Sequence, residues 1–490
     1  MTLTRPERVA GAVALVLDLL RIAFIPDAGT DTAAQLARAS FARDHPFTPV
    51  DFSWFGGVHP FGYSLLAPGI MALLGVTLAG LLATVAMSVL FARLVRDSHR
   101  PTLAAVFGAV FAVANDASGR TTFALGAAAA LATLLMRPHR GRASAFAVLT
   151  GLLSPVAAAF LGLAAAVLVV RRQPCGWSIG LGCTIPVALF AFLFPGGGVQ
   201  PYSLGAAIPL VLISLAVAKV ADHPLISTGA VLYAVGVVFF TIDMDPFGSN
   251  VQRLAALIAS SLLIAYARKL TPFVLVAVVG CLIWQFDPTR DDLRSRPGPD
   301  AVDLAAELVR IDAQRVEVVP ARDHREAYQV AQYVGLARGW SRQLDVAANP
   351  LFYRGRLDAT KYLAWLRDNA VDHVAMPRQA VLDYGSTREG RLLRNPVPGL
   401  QQVWQDDNWT VYAVEEPVAI ADAPVVSVSR TEVVLRSDSA DEVLVRLRWS
   451  RWLTLDGPGC LVHSGKYIRV RFTGQGEVRI GSSLLPQGHC

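Results

Sequence analysis

Acidic side chains that could accept a proton lie in a polar stretch, residues 27–63, which interrupts an otherwise apolar N-terminal half of the sequence. Asp27 and Asp31 stand at its start, and His59 lies near its end in an HPF turn. A positioned carboxylate takes a proton from a hydroxyl group during group transfer. Asp31 heads the segment 31–43, so we expect it to begin a helix, where free backbone N–H groups hold the carboxylate ionised.

A second polar turn, residues 241–253, supplies groups that could bind a phosphate. Asp245, Asn250 and Arg253 crowd into it together with a further aspartate. A guanidinium suits phosphate because its planar fork offers paired donors and its charge does not titrate. The alternative for Arg253 is an interfacial arginine or one that pairs with Asp245. Arg120, in the short polar turn 115–120, is a further candidate phosphate ligand.

The elements that must position these residues are membrane helices. The chain has 490 residues, is 53% hydrophobic and 17% charged, and has a mean hydropathy of +0.44. Up to residue 286 it contains 18 Lys and Arg but only 11 Asp and Glu, whereas the rest is nearly balanced. This composition indicates a polytopic membrane protein with positive cytoplasmic loops and argues against a nucleic-acid partner.

Hydropathy predicts about eleven spans and one re-entrant or interfacial helix at residues 62–75. The predicted spans are residues 9–24, 76–95, 101–114, 121–136, 143–154, 155–170, 177–194, 203–218, 224–242, 251–267 and 271–286. Arginine clusters after alternate spans place the N-terminus in the cytoplasm and the chain after residue 286 outside it. Asp18 and Arg21 fall on one face of the first span, as an interior ion pair or a substrate contact. The apolar face of segment 31–43 predicts a helix lying on the membrane surface.

The C-terminal part reads as two soluble domains. We predict a transmembrane domain at 1–286 with its first external loop at 26–61, a linker at 287–299, an α/β domain at 300–420 and a β-sandwich at 421–490. Predicted elements of the α/β domain are helices at 303–308, 324–336 and 360–369, strands at 315–319 and 372–376, and a hairpin at 401–415. The segment 337–353 has no helical or strand period; Trp340 and Tyr353 in it could line a glycan groove, or the segment is a packed loop.

Cys460 and Cys490 are the only cysteines of the C-terminal part. If that part lies in an oxidising compartment, the two can form a disulfide. Acidic side chains in the external loops are compatible with a divalent cation, Mg²⁺ or Mn²⁺, although no ligand spacing requires one.

Three stretches carry a resemblance to a known family. WFGGVHPFGYSLLAPG (54–69), DPFGSNVQRL (245–254) and ARGWSRQLDVAANPLFY (337–353) resemble an actinobacterial group of GT-C-like membrane proteins, and the order of loop, spans and exported domain resembles the GT-C superfamily of membrane glycosyltransferases. The resemblance implies a polyprenyl-phosphate-linked sugar donor, an extracytoplasmic envelope glycan or lipid acceptor, and a plasma-membrane location. It also implies an acidic base in the first loop, where Asp31 matches best and Asp27 is the alternate.

The mechanism compatible with this resemblance has Asp31 as base and Arg253 with Arg120 offsetting the charge of the leaving phosphate. His59 either binds that phosphate or caps the re-entrant helix. The paired-acid signature of several superfamily members is absent, because Asp31 is followed by Thr32. The competing functions are a transporter or flippase for a lipid-linked envelope precursor, and a non-catalytic scaffold that binds envelope glycan.

Overall fold

The computed structural model describes residues 3–25, 29–242, 246–294 and 298–490. The chain divides into two compact units, residues 1–35 with 62–295, and residues 36–61 with 296–490. The first unit is helical and the second contains all the named strands of the described residues. Residues 36–61 of the predicted external loop therefore group with the C-terminal part and not with the helices that precede and follow them in sequence.

The helical unit consists of α1 and α3 to α13, and α2 continues from it into the second unit. Their bounds are α1 Arg5–Phe24, α2 Thr32–Asp44, α3 Ala67–Leu74, α4 Val76–Leu94, α5 Pro101–Ala117, α6 Thr121–Leu135, α7 Arg140–Leu153, α8 Pro155–Val170, α9 Cys175–Leu193, α10 Leu204–Val220, α11 Pro224–Ile242, α12 Gln252–Tyr266 and α13 Pro272–Arg294. Each of the eleven predicted spans coincides with one of these helices.

Within the part of the chain that the structure describes, four helices are long and apolar enough to cross a membrane, namely α4, α9, α11 and α13. Four shorter apolar helices accompany them, namely α5, α6, α8 and α10. The helix boundaries follow local chemistry: the Ser154 hydroxyl caps α8 by accepting from the Ala157 N–H, and Pro155 fills the first position, where its missing N–H is not needed.

The predicted linker 287–299 is wrong up to residue 294, because α13 continues through Pro288 to Arg294. Thr289 and Asp292 are buried, so this last part of the helix is packed in the helical unit and remains helical. A proline inside a helix removes one backbone hydrogen bond, and burial of the neighbouring side chains offsets that loss.

The second unit contains a five-stranded sheet followed by two antiparallel sheets. Its helices are α14 Val302–Arg310, α15 Glu326–Gln329, α16 Arg342–Ala348, α17 Ala359–Asp368 and α18 Thr387–Leu392. Its strands are β1 Arg315–Val318, β2 Gly335–Leu336, β3 His373–Pro377, β4 Leu400–Gln405, β5 Trp409–Val414, β6 Val425–Val428, β7 Val433–Ser437, β8 Glu442–Arg448, β9 Leu453–Asp456, β10 Gly459–Ser464, β11 Tyr467–Phe472 and β12 Gly476–Ser482.

The five-stranded sheet has the order β2-β1-β3-β5-β4, with β1 parallel to β2 and β3. The helix predicted at 324–336 is wrong over most of its length, since only α15 and the short strand β2 form there. The other two sheets, β10-β11-β8 and β6-β7-β12-β9, share one apolar core that includes Leu435 and Ile468. A disulfide joins Cys460 and Cys490 and ties the C-terminus to β10.

Residues 51–58 explain why the first loop groups with the C-terminal part. Leu336 of edge strand β2 donates its N–H to the Ser53 carbonyl oxygen, and the Phe55 N–H donates to the Leu336 carbonyl oxygen. The Trp54 indole N–H donates to the Ala327 carbonyl oxygen at 2.9 Å. The loop thus adds a short strand-like segment to the edge of the sheet and satisfies backbone groups that would otherwise be unpaired.

Candidate functional site

The turn that carries Asp31 packs directly on the turn between α5 and α6. The Asp31 N–H donates to the Ser118 carbonyl oxygen at 3.2 Å, and Gly119 adopts a positive φ of 75°. A Cβ at Gly29 would collide with the backbone of residues 117–119, and a Cβ at Gly119 would collide with Thr32. Two glycines therefore permit this backbone approach, which brings Asp31 to the start of α6.

The Asp31 carboxylate lies between two guanidinium groups. Its Oδ2 accepts from Arg253 Nη2 at 3.1 Å and lies 3.8 Å from Arg120 Nε. All three side chains remain 16–24% exposed, so this cluster is accessible from outside the protein. Asp292 of α13 also acts on Arg120 electrostatically, so that two carboxylates face two guanidiniums. Among the described residues Arg253 pairs with Asp31; the alternative pairing with Asp245 falls on a residue outside them.

An apolar cavity of about 430 Å³ lies inside the helical unit beside this cluster. Phe123 lines the cavity, and the Arg253 guanidinium carbon lies 5.8 Å from the centre of the Phe123 ring, a cation–π distance. Leu134, on the last turn of α6, lines it as well. Phe123 and Leu134 are eleven positions apart in the sequence, which corresponds to roughly 16 Å along the helix. The cavity thus follows most of α6, from Phe123 beside the charged cluster to Leu134.

The remaining predicted site residues have other places in the structure. Asn250 donates its side-chain N–H to the Phe247 carbonyl oxygen and so stabilises its own turn. The His59 Nε2 lies 2.8 Å from the Ser450 hydroxyl within the second unit. At the start of α3 the Ser64 hydroxyl accepts from the Ala67 N–H. Asp27 and Asp245 lie outside the described residues.

Helix α2 forms as predicted but does not expose its apolar face to a membrane surface. Ala34, Ala37 and Phe41 are buried. The polar residue Gln35 is also buried, at 1% exposure, and accepts a hydrogen bond from the Thr122 hydroxyl. The prediction that this face lies on a membrane surface is therefore wrong, because the face packs on protein.

Sequence reasoning missed a buried charge network in the second unit. The Arg338 guanidinium contacts three carboxylates, namely Asp345 at 2.6 Å, Glu389 at 3.0 Å and Glu317 at 3.3 Å. All four side chains are at most 7% exposed. The Tyr362 hydroxyl donates to Glu389 at 2.7 Å. The sequence does carry one signal of this network. The polar residues of 337–353 have no helical or strand period, because their side chains contact one another and not one side of a helix or strand.

Trp340 and Tyr353 belong to the same region, and their contacts favour a packed loop over a glycan groove. The His324 ring stacks on Trp340 with 3.6 Å between ring centres, and the Arg342 guanidinium lies 5.2 Å from the Trp340 ring. Arg342 also donates two hydrogen bonds to Asp383. The Trp340 ring thus packs against His324 and Arg342.

The second unit is expected to lose stability as the pH rises from 5 to 9. Burial, opposed by Arg338 and Tyr362 and assisted by the Asp345 carboxylate, raises the pKa of Glu389 to about 7. The stability that protonated Glu389 contributes to the folded state is therefore lost between pH 4.5 and about 7. Although burial opposes it, pairing with Asp383 and Glu326 raises the pKa of His324 to about 9, and that contribution is lost above pH 6.5.

Thermal unfolding of the full chain in detergent, followed by protease cleavage of the C-terminal part, measures this trend. We expect the midpoint to fall by several degrees from pH 5 to pH 9, and Glu389→Gln to flatten the lower half of the curve. A midpoint that rises over this range would contradict the protonation states assigned to both residues.

No metal centre is evident: within the four described ranges, no group of three or more His, Cys, Asp or Glu side chains is arranged to hold a metal ion. Comparison of the chain with protein-family models and with curated proteins gave no match. The assignment of a function therefore depends on the geometry around Asp31.

Proposed function

We propose that the protein is a membrane glycosyltransferase of the GT-C type, which moves a sugar from a polyprenyl-phosphate donor to an extracytoplasmic cell-envelope acceptor. The observation that carries the proposal is the position of Asp31 between Arg253 and Arg120, next to the apolar cavity. A charged, partly exposed cluster beside a long apolar cavity suits a ligand that has a phosphate head and a hydrocarbon chain.

The membrane arrangement is part of the proposal. Helices α1 and α4 to α13 would be the eleven spans, and the eight-residue α3 would enter the membrane without crossing it. The arginines that follow α4, α6 and α8 would then lie in the cytoplasm. An odd number of spans puts the C-terminal part on the outer side of the plasma membrane, where a lipid-linked sugar and an envelope acceptor would meet.

In the proposed reaction the donor phosphate takes over the guanidinium contacts that Asp31 now holds. The released carboxylate accepts the proton of the acceptor hydroxyl while that oxygen forms a bond to the anomeric carbon. The bond between the anomeric carbon and the phosphate oxygen breaks, and its electron pair stays on the phosphate. Arg253 and Arg120 stabilise the charge that develops there. The polyprenyl chain lies in the cavity.

Arg253→Gln tests the phosphate contact. Loss of a charged hydrogen bond costs about 1.5–3 kcal/mol, so transfer from a radiolabelled polyprenyl-phosphate sugar, measured as kcat/KM, should fall about 10-fold to 100-fold. Arg253→Lys should recover part of it, because the charge remains while the paired donors are lost. Arg96→Gln, at a 50% exposed arginine of the same unit, is the matched control and should retain full transfer. Equal activity of Arg253→Gln and the control would contradict the proposal.

One observation favours a second candidate, the translocation of a lipid-linked precursor. Asp97, Arg137 and His223 also line the cavity, so it has polar groups besides those near Phe123. A cavity with polar groups in two places also suits the movement of a lipid head group. Transport of a labelled lipid-linked sugar in vesicles, without transfer to an acceptor, would favour this function over the first and over a glycan-binding scaffold.

A further inference from the structure

Asp18, Arg21 and Asp116 form a charged triad among the helices. Arg21 of α1 donates from Nε to Asp18 at 2.6 Å and from Nη2 to Asp116 of α5 at 2.5 Å. Asp18 is fully buried and Asp116 is 5% exposed. The ion pair predicted for α1 is therefore present, but α5 adds a second carboxylate that sequence analysis had placed in a polar turn.

The triad has one guanidinium for two carboxyl groups, and within the described residues Arg21 is the cation that acts on Asp116. Asp116 interacts electrostatically with Asp18 and Arg21. The residue of α4 that lies against Asp116 is neutral: it is Gly80, where a Cβ would collide with the Asp116 carboxylate. The charged residues of α12 and α13 named above, Arg253 and Asp292, act on the Asp31 cluster.

A second observation points to a ligand. Asp18 Oδ2 is buried and accepts no hydrogen bond from any described residue. A buried carboxylate oxygen without a donor is costly, and a surplus negative charge in a helix bundle is more so. Two carboxylates that contact the same guanidinium repel each other unless a further positive charge lies between them.

We propose that Asp18, Asp116 and Arg21 form a binding site for one monovalent cation, a proton or Na⁺, held between the two carboxyl groups. The bound charge makes the triad neutral and gives Asp18 Oδ2 a partner. Asp116 lies two residues before Ser118, whose carbonyl oxygen accepts from the Asp31 N–H. The bound cation therefore changes the net charge next to the turn that carries Asp31. The inference does not depend on the proposed transfer activity.

Infrared difference spectroscopy on the full chain in nanodiscs distinguishes the two cations. If the ligand is a proton, the wild type shows a carboxylic-acid C=O stretch at neutral pH that shifts in D₂O and is lost in Asp18→Asn and in Asp116→Asn. Asp97→Asn, at an 86% exposed aspartate of the same unit, is the control and leaves the band unchanged. If the ligand is Na⁺, that band is missing, and NaCl raises the thermal midpoint of the wild type relative to choline chloride but not that of Asp116→Asn.

A spectrum without this band, together with a midpoint that does not respond to Na⁺, would overturn the proposal. If neither aspartate variant folds, Gly80→Ala still decides, because Glu389 of the second unit also carries a proton near pH 7 but is not touched by this substitution. Gly80→Ala, which crowds the Asp116 carboxylate, should weaken whichever response is found.

Discussion

Asp31→Asn is expected to lower sugar transfer about 100-fold to 10,000-fold, the range by which a general base accelerates a reaction. Asparagine keeps the size of the side chain and caps a helix as well as aspartate does, so α2 should still begin at Thr32. The lost contact to Arg253 is partly exposed and contributes little to stability. The variant should therefore fold normally and fail in catalysis, measured as transfer from a radiolabelled polyprenyl-phosphate sugar in isolated membranes.

The matched control for this variant is Asp44→Asn, at the exposed C-terminal end of the same helix. It removes the same charge from α2 but touches none of the residues around Asp31, so it should transfer sugar at the wild-type rate. Full transfer by Asp31→Asn would remove Asp31 as the base. If the thermal midpoint of Asp31→Asn fell as well, so that the loss of transfer followed from the loss of folded protein, Asp31 would have a helix-capping role only.

The helices of the first unit could be predicted because their signals are local. Apolar runs bounded by proline, glycine and arginine are properties of neighbouring residues, and each predicted span coincides with a helix. The hairpin at 401–415 was equally local and forms as β4 and β5. The surroundings of α2 could not be predicted from neighbouring residues, because hydropathy does not distinguish a helix face that packs on protein from one that packs on lipid.

The pairing of charges could be predicted only in part. The i, i+3 spacing of Asp18 and Arg21 follows from helix geometry, and their contact was predicted. Asp116 reaches the same arginine from 95 residues away, and Arg253 reaches Asp31 from 222 residues away. Such contacts depend on how helices pack, and one sequence carries no record of helix packing. The same limit hid the network around Arg338, whose partners come from β1, α16 and α18.

That network leads to the second large effect, because the Arg338 guanidinium contacts all three of its buried carboxyl groups. Arg338→Met keeps the volume of the side chain but leaves Glu317, Asp345 and Glu389 without their cation. Removal of one partner from a buried ion pair costs about 3–5 kcal/mol, so the second unit should unfold at a much lower temperature. Pulse proteolysis of the full chain across a temperature series, detected by a C-terminal tag, measures this loss.

The control for Arg338→Met is Arg310→Met, because Arg310 also pairs with a glutamate of the second unit but its side chain is 70% exposed. That variant should unfold like the wild type, since exposed ion pairs contribute little. Adding Glu317→Gln to Arg338→Met removes one uncompensated carboxylate and should recover part of the lost stability. If the single variant were as stable as the control, the contacts of Arg338 with β1, α16 and α18 would not stabilise the second unit.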